Sequence, residues 1–536
     1  MSDPNSSSIT SEELDLGLNI LQVITNQSKR CYCKIVQEYF QFSQACIIPR
    51  AFFDSMSGQI IGPEDKPHYN LGTDTLSSLA EDISACTAIE PLYDGSQSTA
   101  RSYFDLFAGE NMRWESIGLF CALIASSAMF QPRDSKLLAS WEERENIISN
   151  MAKASSLCVE MWRKNGSTND VVILLLYQDL MVISQLYGDK DHRTWRRLVD
   201  LAGAVHEAGL QCDMADPDIP AYLSNMRLCI FGAAYVIDKT ICNALGRPPM
   251  ISYRSFSPKL PLDLSIEEYE PLNQDEKANV DAGGWSSSGQ YCPVTWIRLR
   301  YIINRTGETL RKSWGTDHDT KVEATVTILE RYSQMWDNLP DHVKYPNLTF
   351  ESHADEHAND TRMLLASIYL EYLFIKLQAN DKIHRSDDTF MLALEMLKIT
   401  LRLNELRASS LEIPRGYSFV LVRYGIPAAH TLLGHQALFE MVTETNGSGR
   451  PLWGKLINDL VAFIARLNFV LLRLEDENSD AIENARDKLV IHFNAVKDRI
   501  RSQEIDGETI ESLFWPSSFV NLETFYTEQK DDIWRV

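Results

Sequence analysis

From Leu14 onward, apolar residues recur at three- and four-residue spacing, and no long stretch sustains the two-residue alternation of a half-buried strand. Leu18, Ile20, Leu21 and Ile24 form one stripe, and Cys33, Val36, Tyr39 and Phe40 begin another. The stretch from Asp191 to Leu210 places Trp195, Leu198, Leu201, Ala202, Val205 and Ala208 on one face, with Gly209 at its end. No hairpin dipeptide sits between two β-branched runs. These patterns predict an all-α fold, a large helical array.

The sharpest local signal is a helix stop. Between Asn225 and Leu264, Leu228, Phe231, Ala234, Tyr235, Ile237, Ile241, Cys242 and Leu245 fall near helical spacing. Gly246 then supplies the residue that most easily turns left-handed. Pro248 and Pro249 forbid continuation and push the residues before them into extended conformations. A turn at Gly246-Arg247-Pro248-Pro249 follows, with an extended exit toward Leu260-Pro261. Asp238, alone on an apolar helix, needs a buried partner, and the Arg247 fork suits it.

The chain of 536 residues carries a net charge of −23, which opposes a phosphate backbone, and no sustained basic patch offsets it. At 44% hydrophobic and 23% charged, it has the composition of a soluble globular protein. Ten cysteines without framework spacing favour reduced thiols. The apolar runs Ile117–Phe130 and Val171–Tyr177 fall short of the ~20 residues of a membrane span, so no membrane is expected.

Several fragments stand in a fixed order. Tyr103-Phe104-Asp105 precedes Arg113-Trp114-Glu115 and an apolar run; the Asp191–Leu210 helix precedes Arg227, Asp238 and Gly246-Arg247-Pro248-Pro249. Trp336-Asp337-Asn338-Leu339-Pro340, the Arg362–Tyr372 helix and Tyr424-Gly425-Ile426-Pro427-Ala428-Ala429 come later. In this order the chain resembles the regulatory, or middle homology, domain of fungal zinc-cluster transcription factors over most of residues 100–440. The family's N-terminal six-cysteine DNA-binding module is absent here: Cys31, Cys33 and Cys46 lack its spacing and fall on expected helices. No cofactor is therefore expected, zinc entering only if an upstream cysteine cluster belongs to the protein.

The expected organisation is a disordered segment 1–13, N-terminal helices and a loop over 14–98, a helical regulatory domain over 99–440, a helix pair over 441–503 and an acidic, aromatic tail over 504–536. In that tail Phe514, Trp515, Phe519, Phe525, Tyr526 and Trp534 offer anchors to a coactivator groove, or dock onto the helical body. Leu460, Ile464, Leu467, Leu471 and Leu474, with Leu489, Phe493, Val496 and Ile500, read as a dimerising coiled coil or an antiparallel hairpin. His353-Ala354-Asp355-Glu356-His357 matches an inverted zinc-protease pattern but lies in a polar stretch. Asp387-Asp388-Thr389-Phe390-Met391 lacks the third aspartate of a diphosphate clamp. No catalytic constellation emerges.

The resemblance implies a nuclear transcription regulator of a metabolic or specialised-metabolite gene set. It would contact the transcription machinery or coactivators, and a small-molecule effector is compatible with the helical body. DNA contact would come through a missing module or a homo- or heterodimeric partner. Two alternatives stay open, a non-DNA-binding partner of a complete zinc-cluster factor and an α-helical enzyme without a recognisable motif. Arg227, Asp238, Gly246, Arg247, Pro248 and Pro249 are read as a structural motif pinning the turn.

Overall fold

The helix Trp114–Phe130 is buried on every side, from Trp114 through Met129. A helix apolar all round must sit inside other helices, and the elements around this one set the architecture. The computed structural model describes residues 10–502, apart from 26–28, 44, 60–71, 92, 94, 96–98, 132–136, 139, 213–218, 253–258, 266–279, 313–317, 346–355, 406–418, 435–449 and 474–478. Among the described residues the fold is all-α, and pairing of extended chain is limited to one isolated bridge, Val280 to Ser286.

The helices are α1 (Ser11–Ile24), α2 (Lys29–Phe42), α3 (Arg50–Ser57), α4 (Thr73–Thr87), α5 (Ala100–Phe104), α6 (Trp114–Phe130), α7 (Trp141–Asn165), α8 (Asp170–Tyr187), α9 (His192–Glu207) and α10 (Ala221–Leu245). They continue as α11 (Pro293–Lys312), α12 (His318–Asp337), α13 (Glu356–Lys382), α14 (Ser386–Glu405), α15 (Ile426–Gly434), α16 (Arg450–Arg473) and α17 (Ser479–Ser502). Two compact units divide at 369/370, inside α13.

In the first unit α6 packs against α2, α7 and α8, and α8 to α12 follow as successive neighbours. α6 and α7 approach tightly at Gly118, where a Cβ would lie 2.6 Å from the Cys158 Cβ of α7. The helices of 14–98 are not a separate body. Ile20, Ile35, Phe52 and Ile83 share one core with Phe120, Leu174 and Tyr235. The expected boundary at 98/99 therefore runs through a continuous core.

The start of the fold also differs from expectation. Residues 11–13 belong to helix α1 rather than a disordered segment, because its N-cap Thr10 and Glu13 form a reciprocal capping box, with bonds of 2.9 and 3.3 Å. α10 begins at Ala221, which places Arg227 in its second turn.

Helices α8 and α10 are long and apolar enough to cross a membrane by length and composition alone, unlike the shorter runs picked out in the sequence. Their apolar windows are 67% and 72% buried in the protein, and both carry buried ionised side chains paired with other residues. These are the marks of core helices.

In the second unit α14 packs with α15 and α16, and α17 with α15 and α16. Leu460, Ile464, Leu467, Leu489, Phe493 and Val496 are buried within it, so this leucine seam is spent inside the chain as a helix pair. A π-helical turn, Leu421–Gly425, leads into α15. Pro427 has no N–H for the Arg423 carbonyl four residues back and would crowd it, and the wider turn gives that carbonyl room.

Candidate functional site

Helix α10 ends as its sequence dictates. Gly246 adopts φ 64° and ψ 28°, and the Arg247 N–H donates back to the Cys242 carbonyl at 2.9 Å, closing a Schellman turn. The chain then doubles back and lays Met250 and Ile251 beside Asp238. Asp238 Oδ1 accepts the Met250 N–H at 3.0 Å, and Oδ2 accepts the Ile251 N–H at 3.1 Å.

The charge on Asp238 is met by Lys239, whose Nζ lies 2.9 Å from Oδ2 and also donates to the Ile251 carbonyl. Both residues are buried. Glu308 on α11 completes the group, 3.6 Å from the Lys239 ammonium. Its Oε2 accepts the Tyr235 hydroxyl at 2.6 Å and its Oε1 the Ser252 hydroxyl at 3.2 Å. Two carboxylates thus flank one ammonium, and all four carboxylate oxygens are in use.

A buried ion pair repays its desolvation only when its remaining lone pairs are satisfied, and this one meets that condition. The same completeness closes it to acid–base chemistry, since no oxygen is left facing a substrate. Burial, then the Asp238 carboxylate, pushes the Cys242 thiol up to about 12, so it is no nucleophile near neutral pH. Burial and Glu308 raise the Tyr235 phenol, which stays a neutral donor. The cluster is a clamp that fixes the exit of α10.

Arg247 is not the partner of Asp238. Its guanidinium lies over the Trp195 ring of α9, 4.2 Å from the centroid, and its side chain is exposed. The left-handed Gly246 carries it past the helix end, while Lys239 fills the place the arginine was expected to take. Pro248 is exposed beside it and Pro249 half-buried. The turn therefore shows solvent a cation seated on an indole.

Arg227 works elsewhere. Its guanidinium grips Asp170, at the start of α8, with Nε 3.0 Å from both carboxylate oxygens and an amino nitrogen 2.9 Å from Oδ2. The Tyr103 hydroxyl donates to the same carboxylate at 2.6 Å. One buried aspartate so ties α5, α8 and α10 together.

The Arg113-Trp114-Glu115 fragment is a second brace. Arg113 donates to the Thr87 carbonyl at 3.2 Å and to the Ile89 carbonyl, supplying donors that the end of α4 lacks. Glu115 holds the arginine at 2.6 Å and accepts from Asn169 at 3.0 Å. Trp114 Nε1 donates to Ser84 at 2.8 Å, and its ring lies where a Cβ on Gly17 of α1 would stand, 2.9 Å away.

Sequence reasoning missed Lys239 and Glu308, the ionised partners in the clamp. Phe514, Trp515, Phe519, Phe525, Tyr526 and Trp534 lie outside the described residues, as do His353 and Asp355. Asp387 and Asp388 are exposed in the first turn of α14, where acids suit a helix N-terminus. All ten cysteines are free thiols, and among the described residues no group of three or more His, Cys, Asp or Glu side chains is placed to hold a metal ion. The chain matches no known family model, and no curated protein matches it.

Proposed function

We propose that this chain is the regulatory and effector portion of a fungal-type transcription regulator, acting in the nucleus on a metabolic or specialised-metabolite gene set. The observation that carries the reading is the collinear order of family-like fragments from Tyr103 to Ala429. What supports it further is the work three of those fragments do. Arg113-Trp114-Glu115, Arg227 and the Asp238 turn each brace helices of one core. Such a body acts by binding, and its exposed Arg247–Trp195 turn suits a protein partner or an acidic effector.

Chromatin immunoprecipitation of the full chain tests the reading. Enrichment at a coherent promoter set, with changed transcript levels on deletion, is expected; absence of both overturns it. A second reading, a partner that works through a complete zinc-cluster factor, is favoured by the net charge of −23. In that case enrichment disappears when the partner is deleted, while the chain remains in the nucleus.

A further inference from the structure

Two histidines of the second unit lie side by side on neighbouring helices. His430 on α15 and His492 on α17 face each other with ring centroids 5.1 Å apart and planes inclined at 56°. Both are exposed. Their helices are held from behind: Ala429 and Leu433 flank His430 in the core, and Leu489, Phe493 and Val496 anchor α17.

The spacing has a chemical meaning. With a metal–nitrogen bond of about 2.1 Å and about 1.1 Å from nitrogen to ring centre, two imidazoles on one tetrahedral ion have centroids about 5 Å apart. The observed pair has that centroid separation, with each ring carried by a helix packed into the same unit. Imidazole is the ligand that suits zinc, copper and nickel, whereas magnesium and calcium demand oxygen donors.

We infer that His430 and His492 form a two-imidazole site for a divalent transition ion, with water in the remaining positions. No third protein donor joins them among the described residues, so the site binds weakly and keeps open positions for an outside ligand. The exposed Lys488, one turn before His492, opposes a cation and weakens the site further. A bound ion would staple α15 to α17.

The experiment uses the tag-free full chain, stripped of metal, titrated with zinc chloride against a chromophoric competitor. His430→Gln and His492→Gln are measured beside it, with circular dichroism to show that each retains its helices. The wild type is expected to bind one equivalent more than either variant. Added zinc should also slow amide exchange in α15 and α17 of the wild type and of neither variant. Equal stoichiometry in all three proteins overturns the inference, and so does loss of the equivalent in one variant alone. A variant that loses its helices is replaced by His→Asn at the same position, which is read by the same two criteria.

Discussion

Replacing Asp238 by alanine tests the clamp at the end of α10. The substitution removes the acceptor for the Met250 and Ile251 N–H groups and leaves the Lys239 ammonium with the Glu308 carboxylate 3.6 Å away and the Ile251 carbonyl. Breaking a buried pair on one side costs about 3–5 kcal/mol. Glu308 keeps part of the charge compensated, which places Asp238→Ala near the lower end, about 3 kcal/mol. Arg247→Ala removes only an exposed cation–π contact, about 0.5–1 kcal/mol. Because the chain has two compact units, global unfolding need not be one transition, and the assay should be local. Hydrogen exchange at Met250 and Ile251 should accelerate by about 100-fold in Asp238→Ala, the equivalent of about 3 kcal/mol, and by less than about tenfold in Arg247→Ala. A double-mutant cycle should show strong coupling of Asp238 to Lys239 and none to Arg247. Coupling between Asp238 and Arg247, or an exchange change under about fivefold in Asp238→Ala, would refute the clamp.

Three further outcomes are expected. Gly118→Ala forces a Cβ to 2.6 Å from that of Cys158 and about 3 Å from the Leu175 methyls, so it should lower the denaturation midpoint by the equivalent of about 2–3 kcal/mol; Cys158→Ala should not rescue it, since the clash is with a Cβ that alanine keeps. Gly246→Ala meets no atom within 4 Å but must hold φ 64°, so its cost should be about 1–2 kcal/mol, with Gly246→Asn milder, both read by thermal unfolding. The Asp191 carboxyl caps α9 and is held down to about 2, chiefly by its bond with the Arg193 side chain. Its folded pKa lies below the unfolded value of about 4, so its stabilisation is full above that pH and fades as the pH falls toward 2. The stability gap between wild type and Asp191→Ala, about 1 kcal/mol near neutrality, should close over that window; a gap independent of pH would refute the assignment.

What the sequence disclosed follows the range of the physics. The stop of α10 was legible because Gly246, Pro248 and Pro249 act through their own backbones, and the amphipathic face of α9 because its period is local. The partner of Asp238 was not. Neighbours in a helix do not ordinarily face each other, so Lys239 looked unrelated; its long stem lets the ammonium reach both the adjacent carboxylate and the returning Ile251 carbonyl. Arg227 finds Asp170 fifty-seven positions away, and nothing in either local sequence marks that pairing. The Thr10–Glu13 box was readable in principle, since its spacing is a start signal, but the surrounding polar residues masked it. The cost of a cation or carboxylate on an apolar helix was a sound guide to the presence of partners, though not to their identity.

The all-round burial of α6 bears on how this protein can be dissected. Ile20 and Leu21, Ile35 and Val36, and Phe52 and Phe53, all before residue 58, belong to the core that closes over Phe120 and its neighbours. A fragment begun at residue 99, the start of the helical domain expected from the sequence, would leave one flank of its central helix without a lining. Such a fragment should be recovered in aggregates, or bound to chaperones, however complete its downstream motifs. Co-expression with a separate 10–98 peptide should return it to solution, the two pieces meeting as halves of one core.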